Sequence, residues 1–306
     1  MEKKFSPMLL GTVQLGMDYG IANRGGKPDE EKSFAILRAA LSGGVNCLDT
    51  ARGYGDSEEV IGRFLKTWAG EKPKIITKIP KLQGETPKEL EKFATESIEK
   101  SLRALGVNQV DGVMLHGASD PIFYGKTCAD VMENLLAHGY TEQVGVSVYT
   151  AEEIAGMLSY DVFTMTQVPM SIFDQRLITG GWIGKLKEQN YDVFVRSVFL
   201  QGLFFLDPDT VTDPILLEHA APKLRILRKI AERENMTLAQ LAIAFIRDLP
   251  GVSGLVLGAD TPEQVQNNLS YFDTAPLRGE VLARLQKEFA DVDIPGIMQV
   301  LSRPKK

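Results

Sequence analysis

The chain has 306 residues, 44% hydrophobic, 24% charged and 8% aromatic, a globular balance that sets aside disordered and fibrous chains. The net charge of −6, with no run of Lys or Arg longer than two, disfavours general nucleic-acid binding, and no apolar run approaches the roughly 18 residues of a membrane-spanning helix. Two distant cysteines, Cys47 and Cys128, exclude a disulfide scaffold and a zinc cluster and suit a reducing compartment. In chain order, MLLGT (8–12) reads as a strand. Asp29 caps a helix over about 30–42 that Gly43-Gly44 ends. VNCLD (45–49) is the next strand, and Ser57 is expected to cap a helix reaching about Trp68. KIITK (74–78) is a strand, Thr86-Pro87 opens a helix that Gly106 stops, and VDGVML (110–115) is a strand before a helix near 127–138. QVGVS (143–147), 163–168 and YDVFV (191–195) are strands, with helices near 151–158 and 179–189 between them. Helical patterns follow near 220–234 and 237–248. The strand GLVL (254–257), a helix over about 261–269 and a last helix near 277–291 complete the chain. The opening run MEKKFSPMLLGTVQLG has no long apolar core and no small-residue cleavage site, so the expected location is the cytoplasm.

Eight strands alternating with helices require parallel pairing and right-handed crossovers. The expected fold is therefore α/β, a (β/α)8 TIM barrel forming one domain over 1–306, with extra helices near the C-terminus. An open doubly wound sheet is the competing architecture, but no GxGxxG turn follows the first strand. In a barrel, chemistry gathers at the C-terminal strand ends. The polar residues there are Asp49 with Tyr54 five residues on, Lys78, His116, Ser147, Gln167, Arg196 and Ser197. A buried Lys and a buried Asp are each costly unless paired. Beside a tyrosine, an ammonium favours the phenolate, and a tyrosine so placed can exchange a proton near neutral pH. Singly, each residue has a plainer reading: Asp49 as a turn cap, Tyr54 as packing, Lys78 as a solvated strand end and His116 as a hydrogen-bonded core histidine. Cys47 and Cys128 read as packing residues.

The runs LDTARGYGDSEEVIG (48–62), ITK (76–78), MLH (114–116) and GVS (145–147) resemble the aldo-keto reductases. The likeness extends from LGTVQLG (10–16) to GADTPEQVQNN (258–268). It implies a barrel that reduces carbonyls with a nicotinamide cofactor and a tetrad of Asp49, Tyr54, Lys78 and His116. In that tetrad Tyr54 is the general acid, Lys78 tunes it with support from Asp49, and His116 orients the carbonyl. For the cofactor, the resemblance implies Gly11 and Thr12 at the first strand end and Ser147 and Gln167 on the nicotinamide carboxamide. Arg196 stands where an aromatic often stacks on the nicotinamide ring, and Val148 where an Asn often follows the serine. Ser197, Phe199 and Gln201 would lie along the pyrophosphate. Gly258, Ala259, Asp260 and Thr261 would lead into the last long helix, with Gln264 and Asn268 on the adenosine side.

Gly258 and Gln264 occupy places where NADPH-committed members often carry basic residues, and Asp260 lies between them. NADP (as NADPH) is the expected cofactor and NAD the alternative. The expected partner is a small-molecule carbonyl substrate, with no metal, nucleic acid or membrane, and the chain is expected to be a monomer or weak homo-oligomer. The run LGTVQLGMDYGIANRGGKP resembles reductases of sugar metabolism, which points to a sugar-derived carbonyl. Arg24, Lys27, Arg52 and Arg176 fall in loops of the catalytic face and together can read an anionic or polyhydroxylated substrate. Trp182 and Phe173 line the mouth or pack. The competing function is a cofactor-sensing protein on the same barrel, and an intact tetrad argues against it.

Overall fold

A computed structural model describes residues 4–23 and 25–303. Eight parallel strands close into a barrel in sequential order. They are β1 (Met8–Gly11), β2 (Cys47–Asp49), β3 (Lys74–Ile79), β4 (Val110–Leu115), β5 (Thr141–Ser147), β6 (Phe163–Pro169), β7 (Asp192–Arg196) and β8 (Gly254–Gly258). β8 closes on β1 with Leu9 opposite Val256 and Gly11 opposite Gly258. Helices cover the outside, so the strands are buried on both faces and read as short apolar runs. A TIM barrel is therefore the architecture, and the open sheet is excluded.

The helix boundaries follow from local chemistry. The Asp29 carboxylate accepts the Lys32 N–H at 2.8 Å at the start of Glu30–Ser42. Thr86 and Glu89 cap Pro87–Leu105 reciprocally, and Gly106 ends it in the left-handed conformation at φ 70°. Other expectations are corrected. Ser57 opens its helix without capping it: its buried hydroxyl donates to the Thr12 carbonyl at 2.9 Å, tying the β2 loop to the β1 loop. The helix expected near 179–189 breaks at Gly180-Gly181 into Arg176–Thr179 and Trp182–Glu188. Two short helices, Asp120–Tyr124 and Ile294–Leu301, stand beyond the expected ones, and Pro121 and Pro295 each sit in a first turn where the missing N–H costs nothing. Among the described residues no helix is long and apolar enough to cross a membrane.

One cluster of buried side chains joins strands to helices. A smaller one holds Leu9, Cys47, Ile76, Met114, Met165 and Phe194, capped by Phe5, whose ring meets Phe194 edge-on at 5.0 Å. These are one residue from each of six strands, and they form the floor of the barrel interior. Gly145 of β5 contributes no side chain there: a Cβ would lie 2.1 Å from the Met165 carbonyl oxygen.

Candidate active site

Side chains alternate across a strand, so the residue two places beyond each floor residue faces the same interior, one layer nearer the strand ends. Leu9 leads to Gly11, Cys47 to Asp49, Ile76 to Lys78, Met114 to His116, Met165 to Gln167 and Phe194 to Arg196. An apolar floor thus carries a polar layer, and that layer holds Asp49, Lys78 and His116, three of the four expected tetrad residues.

The structure brings Asp49, Tyr54 and Lys78 into contact. Lys78 is fully buried, and its Nζ donates to both Asp49 carboxylate oxygens at 2.8 Å and to the Thr50 carbonyl at 3.0 Å. The same nitrogen stands 3.5 Å from the Tyr54 hydroxyl. Burial works against its charge, but Asp49 and Tyr54 outweigh burial, so the Lys78 pKa lies above its ordinary value. His116 meets the Tyr54 ring edge-on, with centroids 5.8 Å apart. The loop carrying Tyr54 can dock this closely because it crosses the β1 loop at two glycines. A Cβ on Gly16 would fall 1.7 Å from the Tyr54 carbonyl oxygen, and one on Gly55, at φ 58°, 2.1 Å from that of Gly16. Glu58, a buried carboxylate the sequence reading missed, accepts from Thr77 Oγ1 at 2.6 Å and from Arg52 at 2.7 Å, bracing β3 beside Lys78. Burial raises its pKa against those bonds.

Burial, then the charges of Lys78 and Arg196, lower the His116 pKa from 6.5 to about 4. Asp120, at the start of the short helix after β4, moves the other way, from 3.8 to about 6, through burial. Between about pH 4 and 6.5 the unfolded chain holds the His116 proton and the folded one does not, so this group makes stability rise with pH. Between about 3.8 and 6 the folded chain holds the Asp120 proton and the unfolded one does not, so this group makes stability fall with pH. The two oppose each other. Denaturant unfolding across that range is expected to give a flatter curve for the wild type than for His116→Gln, which keeps only the fall, or Asp120→Asn, which keeps only the rise. A His116→Gln curve parallel to wild type counts against a neutral His116.

A cleft of about 710 Å³ opens beside this cluster and extends to Tyr271. Of the expected cofactor residues, Gly11, Thr12, Gln167, Arg196, Ser197, Phe199, Gln201, Gly258, Asp260, Gln264 and Asn268 line it. Ser147, Ala259 and Thr261 do not. Ser147 is buried opposite Gln167 in the sheet, Ala259 is buried, and the Thr261 hydroxyl caps its own helix by accepting the Gln264 N–H at 3.2 Å. Gln167 gives one N–H of its amide to Asp49 at 2.8 Å, which leaves its second N–H and its carbonyl for a ligand. Sequence reading missed Gln14, Tyr19, Asn267 and Tyr271 in the wall. Gln264, Asn267, Asn268 and Tyr271 stand at i, i+3, i+4 and i+7 of one helix, a spacing that marks them as one face.

A dinucleotide fits these walls on two grounds. At the end of β8, Gly258 leaves the space that the Gln14 amide occupies, since a Cβ there would come within 2.2 Å of its nitrogen and turn that side chain aside. The Gln14 carbonyl oxygen is buried without a hydrogen-bond partner, and a ribose hydroxyl or a carboxamide N–H is the kind of donor that satisfies it.

The expected cationic cluster does not form. Lys27 pairs with Asp56, Arg52 with Glu58 and Glu59, and Arg176 with Asp174 at 2.8 Å, so their charges are spent within the fold. Arg24 lies outside the described residues. Phe173 is core, with its ring 4.9 Å from Phe204 and 5.1 Å from Phe289, and Trp182 stacks with Lys185. Burial raises both thiols, Cys128 to about 12, as suits packing residues.

A model of the aldo/keto reductase family matches residues 7–288. The NADH-specific methylglyoxal reductase of Escherichia coli (strain K12) is 27% identical, spanning 87% of this chain and 89% of the relative. The holo form of an aldo-keto reductase from Bacillus halodurans superposes with a TM-score of 0.75 at 24% identity, covering 93% of this chain and 92% of that one. An aldo/keto reductase from Klebsiella pneumoniae, in complex with NADP and acetate, superposes with a TM-score of 0.69 at 21% identity and the same coverages.

Proposed function

The chain belongs to the aldo/keto reductase family, enzymes of nicotinamide-dependent carbonyl reduction, and on that premise we propose that it reduces a small aldehyde or ketone with Tyr54 as general acid. The observation that carries this reading is the buried Lys78 ammonium, held by Asp49 and set 3.5 Å from the Tyr54 hydroxyl. The nicotinamide, when bound, supplies the hydride. As the carbonyl oxygen gains charge, Tyr54 hands it the phenolic proton, and Lys78 stabilises the phenolate left behind. Asp49, Thr50 and Gln167 keep the ammonium and its counter-ion from turning away. His116 is neutral above about pH 4, so it serves the carbonyl oxygen as a hydrogen-bond donor and leaves acid chemistry to Tyr54. The substrate class favoured by the sequence resemblance is a sugar-derived carbonyl. Cofactor consumption followed by nicotinamide absorbance across a panel of aldehydes and ketones tests the reading, and consumption that no carbonyl accelerates overturns it.

Gly11, Gln14, Gln167, Ser197, Phe199, Gln201, Gly258, Gln264 and Asn268 would hold the dinucleotide. For the choice of nucleotide we infer a modest preference for NADPH, on the order of tenfold, equivalent to about 1.4 kcal/mol. What holds that preference to so small a factor is the helix after β8, which offers few open donors to a 2′-phosphate. Gln264 gives its N–H to Thr261, Asp260 gives its N–H to the Gln264 side chain at 2.6 Å, and Pro262 has none. Asp260, which accepts from Asn23 at 3.3 Å, adds a negative charge to this wall. Asp260→Ser is expected to raise the NADPH:NADH affinity ratio several-fold, as removal of one like charge near an anion does. Dissociation constants from fluorescence quenching at fixed salt measure it. An unchanged ratio means that Asp260 does not bear on the ribose, and tighter NADH binding by wild type assigns NAD instead.

A further inference from the structure

Lys27, Arg52 and Arg176 are paired away from the cleft, and among the described residues Arg196 is the cation on its wall. It ends β7 on the interior face, in the same layer as Asp49, Lys78, His116 and Gln167. Its guanidinium lies 4.2 Å from the centroid of the Tyr149 ring and makes one long hydrogen bond, 3.4 Å, to the Val148 carbonyl. Neither contact neutralises it, and most of its five N–H donors stay available. Stacking on Tyr149 fixes the plane of the fork on the side of the β5 loop, and its charge reaches the reacting end of the cleft: it opposes a proton on His116 and favours the anion of Tyr19. A half-buried guanidinium without a carboxylate partner offers its fork to an anion that enters the cleft.

We propose that Arg196 is a specificity residue that selects carbonyl substrates carrying a second, anionic group, a carboxylate or a phosphate, which it binds through its free N–H fork. This rests on the carbonyl-reductase reading above. It assigns Arg196 to the substrate, whereas the sequence resemblance placed it against the nicotinamide ring.

The test uses two matched pairs of aldehydes, butanal with 4-oxobutanoate for a carboxylate and glyceraldehyde with glyceraldehyde 3-phosphate for a phosphate. Wild type is compared with Arg196→Met, which keeps an unbranched apolar stem, and with Arg196→Lys. Wild type is expected to favour the charged member of at least one pair in kcat/KM, and the pair that responds names the anion. Arg196→Met is expected to cut that preference about 10- to 150-fold, the range of a charge-assisted hydrogen bond, mainly through KM. Arg196→Lys restores part of it, because an ammonium keeps the charge and loses the fork. Raising salt weakens the wild-type preference. NADPH affinity is expected to move far less than the substrate preference. Equal losses on charged and neutral members together with weakened NADPH binding overturn the proposal and return Arg196 to the cofactor. A wild type indifferent to charge in both pairs overturns it while leaving the reductase reading intact. Calorimetric binding of 4-oxobutanoate and glyceraldehyde 3-phosphate to the NADP complex, wild type against Arg196→Met, decides the role of Arg196 even if no carbonyl is turned over. Binding of neither anion, or of both equally by the two proteins, overturns it.

Discussion

Tyr54→Phe is expected to lower kcat for carbonyl reduction by about 10²- to 10⁴-fold, the share that a positioned general acid contributes. The substitution removes one oxygen and keeps the ring, so the edge-on contact with His116 persists and Lys78 retains Asp49 and the Thr50 carbonyl. NADPH affinity and melting temperature should therefore stay near wild type while turnover collapses. Stopped-flow and steady-state rates with saturating NADPH and a reactive aldehyde, alongside a fluorescence titration of NADPH, measure both sides. A variant that keeps more than about a tenth of wild-type turnover, a barrier change under roughly 1.4 kcal/mol, has the acid elsewhere.

Lys78→Met is expected to lose comparable activity and, unlike Tyr54→Phe, to lose stability as well. Removing one partner of a buried ion pair costs about 3–5 kcal/mol, because the other charge is left in a poor solvent. Here Asp49, only 2% exposed, keeps one hydrogen bond, from Gln167, which places the loss toward the lower end of that range. The double variant Lys78→Met/Asp49→Leu separates the two effects: an apolar pair of similar volume should recover much of the stability and none of the activity. Thermal and denaturant unfolding of the single and double variants give the comparison. Equal stability of Lys78→Met and Tyr54→Phe would sink the claim that the ammonium is a buried structural partner of Asp49 as well as a catalytic one.

The spacing of elements and the identity of the strand-end residues were legible without coordinates. Alternation of apolar runs with amphipathic stretches gave eight strand–helix units, and the caps at Asp29, Thr86 and Gly106 stand where their residue types require them. Period-two alternation also fixes which strand-end residues share the barrel interior. Before any distance was known, Asp49, Lys78 and His116 stood out as polar residues at strand ends, and the family resemblance joined them with Tyr54. All of these are local properties: each depends on a few neighbours along the chain and on the backbone geometry that those neighbours adopt.

What local pattern does not carry is which partner a polar side chain takes. Gln167 turns to Asp49 across 118 positions of sequence, and Ser57 leaves the cap role for Thr12 across 45. Arg52 looks like a free cation in a loop until Glu58 and Glu59 come round on the next helix turn. Arg196, flanked by an ordinary strand and loop, becomes the cation on the cleft wall only once the barrel closes. Hydrogen bonds and ion pairs act over a few ångströms, so they belong to whichever groups the closed barrel brings together. The sequence by itself determined the barrel and the strand ends from which the tetrad is drawn. Only the tertiary structure decided which charges are consumed in holding those ends and which remain to meet a substrate.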